Sequence, residues 1–251
     1  MEEENKKQRI KGDTIVTSLL AIALILMVFN QFQLLTLKSG DMNLATGMVT
    51  ANAQDVTPKG VPEIYGDELK ISYDDVSPND PDKADKTIEI LSNFDRTLTL
   101  DGKDLERYIA VGSEISCEYC CGAKSIVFSK KDADERELAI QDAITKNQIT
   151  KDQAESYQIE AGAAACGCAH SYAMRGLAKY LIVNHAEEYS DEEILHELAK
   201  WKTLFFPGQM NAKASAMKDK EIPFSYSNLG SNAYRGIESE KSTSGDMVGG
   251  C

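Results

Sequence analysis

Two short cysteine clusters constrain this chain more than any other feature. The first reads Ser116-Cys117-Glu118-Tyr119-Cys120-Cys121-Gly122, the second Ala165-Cys166-Gly167-Cys168-Ala169-His170-Ser171. Together they hold five of the six cysteines and one of the three histidines, so soft donor atoms are concentrated in two loops of an otherwise acidic chain. Thiolate sulfur and imidazole nitrogen are the donors that late first-row metals prefer, and CxxC or CxC spacing lets one short loop supply two of them without strain. The clusters therefore predict a metal site built from Cys117, Cys120, Cys121, Cys166, Cys168 and His170. A structural zinc needs four ligands. The surplus here would suit a two-metal centre or thiolate-rich Cu(I), so the expected cofactor is Cu(I) or Zn(II).

Two other uses of these cysteines stand beside that one. Both loops can be oxidised to structural disulfides, in which case Cys120 and Cys121, being adjacent, go to separate partners. A dithiol oxidoreductase using Cys117 and Cys120 is the third reading, but such an enzyme places its CxxC at the start of a helix in an α/β layer, and the elements around Cys117 do not read that way. No catalytic base, Ser-His-Asp arrangement or phosphate-cradling glycine loop accompanies the clusters, which points away from an enzyme.

The chain opens with a charged flank, residues 1–13, carrying Lys6, Lys7, Arg9 and Lys11. An apolar run over 14–37 follows, uncharged from Leu19 through Phe29 and diluted only by Asn30, Gln31 and Gln33. A helix needs roughly 20 residues to cross the hydrocarbon layer, so this run is predicted to span a membrane. The basic flank outweighs Lys38 on the far side, which keeps the start in the cytoplasm and turns the remainder outward, a single-pass signal-anchor topology. A cleaved signal peptide is the rival, but Ala51-Asn52-Ala53 lies far beyond the apolar run. A pilin-like leader cut after Lys11-Gly12 is a second rival.

Residues 38–86 carry Pro58, Pro62, Pro78 and Pro81 with no steady apolar period and read as an extracytoplasmic linker. The acidic stretch over 73–82 lacks the glycine and closing glutamate of a calcium loop and reads as part of that linker. The compact domain is expected over 87–208 and mainly α, a small helical domain with a helical hairpin around the Cys/His-rich loop pair and a few short strands. Thr97 to Leu100 and Ser125 to Phe128 are the candidate strands. Asp101 is placed to cap a helix over 102–111, with Leu105, Tyr108 and Ile109 on its inner face and Gly112 at its end.

The charged stretch 130–160 reads as a helical insertion between the two cysteine loops. After the second loop, a helix over 171–185 presents Met174, Leu177, Ala178 and Leu181 on one face. Ser190 with Glu193 makes a capping box for another helix, with Ile194, Leu198, Trp201 and Phe205 at helical spacing, closed by Pro207-Gly208. These two helices are expected to pair as the main core-forming unit. Residues 209–251 read as a polar tail ending in Cys251, a further ligand or an intermolecular partner. Met210, Met217 and Met247 are possible thioether donors, Met174 a core residue, and His185 and His196 surface or capping histidines.

The net charge of −13 leaves no basic face for phosphate, so nucleic acid is excluded as a partner and a cation is the natural one. The segment Cys166-Gly167-Cys168-Ala169-His170, with Arg175-Gly176-Leu177-Ala178-Lys179-Tyr180-Leu181-Ile182 and Ser190-Asp191-Glu192-Glu193-Ile194, resembles bacterial exported proteins carrying a PCYCGC motif. The resemblance covers 105–205 at most. It implies a membrane-attached protein with a Cys and His metal centre.

Overall fold

In a computed structural model of the 251-residue chain, the structure describes residues 55–239 and 247–250. The apolar run over 14–37, its basic flank, the first part of the linker and Cys251 lie outside them. Among the described residues no helix is long and apolar enough to cross a membrane.

The order of elements is α1 (Gly66–Leu69), a 3-10 turn at Tyr73–Asp75, α2 (Pro81–Thr97), α3 (Gly102–Glu114), α4 (Lys130–Thr145), α5 (Lys151–Glu155), α6 (Ala169–Asn184), α7 (Asp191–Phe205), α8 (Pro207–Asp219), α9 (Tyr226–Gly230) and a 3-10 turn at Asn232–Tyr234. β-structure in the described residues is limited to isolated bridges. The mainly helical reading holds.

The central relationship is between α2 and α6. On α2, Ala84, Thr87, Ile88, Leu91 and Ser92 are buried, the i, i+3, i+4, i+7 stripe of a helix with one covered face. It packs along α6, where Ala173, Met174, Leu177, Ala178 and Leu181 are wholly buried. Gly176 sets how closely they approach. A Cβ there would lie 1.9 Å from the carbonyl oxygen of Leu91, so the two backbones are in contact at this point. The predicted pairing of α6 with α7 exists but is secondary, since α7 packs most extensively on the short α9 and α6 on α2.

That arrangement corrects the reading of 38–86 as a linker, for the part the structure describes. Asp80 accepts from Lys83 N as the N-cap of α2 and Pro81 stands at its first position, a helix start rather than a loop. Upstream, Val56, Tyr65, Ile71, Tyr73 and Val76 belong to the core. Tyr65 and Tyr73 both donate to Oε2 of buried Glu197, at 2.8 and 2.5 Å, and Trp201 Nε1 donates to the Tyr65 hydroxyl at 2.7 Å. A paired, fully donated carboxylate is how a buried glutamate is tolerated, and here it fastens the N-terminal segment onto α7.

The tail reading is corrected in the same way. Pro207 does follow the end of α7, but it stands in the first turn of α8, which buries Met210, Lys213, Ala214, Ala216 and Met217. Thr97 to Leu100 forms no strand, because α2 runs through Thr97. Gly112 lies inside α3 and not at its end, where a Cβ would meet Val127 Cγ2 at 2.7 Å; the residue is small because the returning chain packs there.

Candidate metal centre

The first cysteine loop hangs from the end of α3. Ile115 bridges to Ser231, Cys117 bridges to Ala123 with Cys117 N donating to Ala123 O at 3.2 Å, and the chain between them turns through Gly122 at a φ of +70°. That φ favours glycine, which lets the loop close tightly. The Ser125 to Phe128 stretch then runs beside the second loop. Val127 bridges to Ala164, Phe128 N donates to Ala163 O at 2.9 Å and Ala165 N to Ile126 O at 3.1 Å. This short ladder brings together two loops that α4 and α5 separate in sequence.

The second loop ends on α6. Cys168 is that helix's N-cap and its sulfur accepts from Ser171 N at 3.3 Å. Arg175, one turn further, reaches back through Nη1 to Cys166 O and Ser171 Oγ, both at 2.7 Å, while Nε and Nη2 grip Asp95 on α2 at 2.9 and 2.8 Å. The guanidinium thus ties the CxC loop to two helices, using the fork geometry that lysine lacks.

Among the predicted residues, four sulfurs from the two loops gather at one point. Cys121 and Cys166 are joined as a disulfide, Cys117 Sγ lies 3.2 Å from Cys168 Sγ, and Cys166 Sγ lies 3.4 Å from Cys168 Sγ. All four lie within 4.8 Å of one another. Four thiolates at about 2.3 Å around a tetrahedral ion sit roughly 3.8 Å apart, so this donor set fits a thiophilic ion once the disulfide is reduced. Cys117 and Cys166 are buried, Cys168 half-buried and Cys121 exposed.

A second group overlaps the first. Cys120 Sγ, Cys168 Sγ and a ring nitrogen of His170 also lie within 4.8 Å of one another. His170 is fully buried against the rings of Phe205 and Phe206. Every predicted site residue therefore falls in one of two sets that share Cys168. His185 and His196 stand outside both. His185 caps the C-terminus of α6 beside Tyr180, and the ring of His196 packs on that of Tyr226. Met174, Met210 and Met217 are core residues, and Met247 packs against the core.

The charge around the first loop had no signature in the sequence. Lys202 and Lys213, both fully buried, each place Nζ 3.1 Å from the same oxygen of Glu118, and Lys202 also reaches Ser116 Oγ at 3.0 Å. Burial, the largest influence, lowers the Lys202 ammonium to about 8. Burial pushes Glu118 the other way, yet the two lysines outweigh it and hold its carboxyl below the ordinary value. One carboxylate thus faces two buried cations, with Arg235 Nε 3.7 Å from its other oxygen, immediately beside Cys117, an arrangement that favours negative charge on the adjacent sulfur. The Cys117 thiol is held below its ordinary value chiefly by the hydrogen bond it shares with Cys168, with Lys202 adding to it. Cys168 is pushed up to about 12 by that same contact and by burial.

Chemically the site offers thiolates, one imidazole and compensating buried cations, a donor set able to hold a metal ion. Comparison with family models, with curated proteins and with solved structures gave no match for this chain.

Proposed function

We propose that this is a membrane-anchored, outward-facing protein that holds a thiophilic transition metal, Cu(I) or Zn(II), for storage, delivery or structural support, as the resemblance to PCYCGC-motif proteins also implies. One observation carries the reading: four sulfurs from two loops converge within 4.8 Å. The ligands of this centre are Cys117, Cys121, Cys166 and Cys168, with the Cys121–Cys166 disulfide as its oxidised, metal-free form. The buried lysine pair supports it, because a tetrathiolate around a divalent ion carries excess negative charge that needs a counter-charge. The apolar run over 14–37 and its basic flank support the anchoring and its direction.

The test is elemental analysis of the full chain, purified anaerobically in detergent. About one metal ion per chain or more is expected, lost when Cys166 and Cys168 are both replaced by serine. Metal-free protein with freely reactive thiols would sink the reading. The disulfide favours a second reading, a stapled cell-surface protein, since disulfides persist outside the cytoplasm. Mass mapping without reduction, on protein taken directly from cells, separates the two: a stoichiometric Cys121–Cys166 bond in metal-free protein supports the staple.

A further inference from the structure

The group formed by Cys120, Cys168 and His170 contains neither half of the Cys121–Cys166 disulfide. Oxidation that removes two ligands from the four-sulfur set leaves this second set complete. We propose that Cys120, Cys168 and His170 form a metal site of their own, able to hold a thiophilic ion while the disulfide is closed.

The state of the imidazole carries the argument. His170 Nε2 lies 3.0 Å from the carbonyl oxygen of Val248, and a carbonyl can only accept, so the ring proton sits on Nε2. Nδ1 is then the nitrogen with the free lone pair. It is buried and has no hydrogen-bond partner, although buried polar atoms are nearly always satisfied. A metal-ligating histidine characteristically donates its other N–H to a carbonyl or carboxylate, which fixes tautomer and ring orientation. Val248 supplies that partner, and the Val248 segment is itself held, by Val248 N donating to Phe205 O at 2.9 Å and Gly250 N to Asp85 Oδ1 at 2.7 Å. The ring is therefore oriented, its tautomer set and Nδ1 left open, and a nitrogen of this ring lies within 4.8 Å of the Cys120 and Cys168 sulfurs.

Two sulfurs and one nitrogen suit three-coordinate Cu(I), or Zn(II) with a water as fourth ligand. Where the disulfide is reduced, Cys168 belongs to both sets, and its thiolate bridges two ions. The inference rests on reading these loops as metal-binding, but it fails separately from that reading.

The experiment uses the full chain in detergent, isolated without reductant and with the Cys121–Cys166 bond verified by mass. Zn(II), and Cu(I) delivered from a chromogenic chelator, are titrated in. One equivalent is expected in this oxidised protein, with affinity at least about tenfold lower in Cys120→Ser and in His170→Gln, which is about 1.4 kcal/mol. Co(II) substitution gives a readout independent of stability, with thiolate-to-metal absorption expected in the oxidised wild type and lost in Cys120→Ser. If His170→Gln fails to fold, Cys120→Ser decides alone. Oxidised protein that binds nothing while reduced protein binds one ion overturns this site and leaves the four-sulfur centre standing. Unchanged binding in the folded variants also overturns it.

Discussion

The sulfurs of Cys117 and Cys168, 51 residues apart in the chain, lie 3.2 Å from each other. The contact is asymmetric in its effect: with burial it pushes the Cys168 thiol up, while it holds the Cys117 thiol down, with Lys202 adding to the latter. Replacing Cys168 by alanine should move the onset of Cys117 ionisation to higher pH. Thiolate absorbance near 240 nm, titrated in metal-free protein with the Cys121–Cys166 bond closed and taken as the difference between variant and wild type, reads this directly. An unchanged onset would mean that the contact does not set the charge on Cys117. The same substitution removes the N-cap of α6, so a stability loss of about 1 kcal/mol should accompany it.

Glu118 holds two buried cations with one carboxylate, so its removal leaves both without their anion. Glu118→Gln should destabilise the fold at pH 7 by roughly 3–5 kcal/mol, the cost of breaking a buried pair from one side. The pH dependence has a definite sign. The folded-state pKa of Glu118 lies below the unfolded value near 4.5, so its contribution is complete above that value and is lost as pH falls through the folded pKa. Urea midpoints between pH 7 and 3 should therefore fall on the acid side in the wild type, and fall less steeply in Glu118→Gln. Parallel curves would refute the assignment.

At Gly176 even one methyl group has no room. An added Cβ would sit 1.9 Å from the Leu91 carbonyl oxygen and 2.9 Å from Asp95 N, both backbone atoms that no rotamer change can move. Gly176→Ala should force α2 and α6 apart and cost at least the roughly 1–3 kcal/mol of ordinary overpacking, in spite of alanine's better helix propensity. Because Asp95 anchors Arg175, and Arg175 anchors Cys166, the variant should also speed reduction of the Cys121–Cys166 bond. Denaturant unfolding and timed alkylation measure the two effects. A stabilised variant would show that the helices are not in contact there.

What could be read from the chain was what declares itself locally. Ser190 with Glu193 does close a capping box on α7, the charged stretch 130–160 does carry two helices, Lys130–Thr145 and Lys151–Glu155, and the two cysteine loops do meet. The elements without a local signature have polar or punctuated sequences whose burial depends on distant partners. The first part of α2 stands behind Pro78 and Pro81, which read as loop residues until Asp80 caps the helix. In α8 the buried face includes Lys213, whose burial makes sense only beside Glu118, 95 residues away. Tyr65 and Tyr73 join the core through Glu197, a pairing that no periodicity reveals. Which two of the clustered cysteines would be bonded was equally out of reach, since spacing leaves every pairing open.

The α4 and α5 insertion should be dispensable for both fold and site. Of its apolar side chains only Ile140 and Ala154 are buried, Leu138 is 69% exposed, and its link to α3, Lys130 to Glu106, is an exposed ion pair of little energetic weight. Its two ends already meet, with Phe128 N donating to Ala163 O at 2.9 Å and Gly162 N to Phe128 O at 2.8 Å. Replacing 130–160 by a short Gly and Asn turn closes the same ladder with a much shorter loop. Each halving of loop length recovers about 0.6 kcal/mol of closure entropy, which offsets the small apolar area lost. The shortened protein should unfold within about 1 kcal/mol of the parent and bind the same number of metal ions. Loss of metal with the fold intact would mean that the insertion shapes the second cysteine loop.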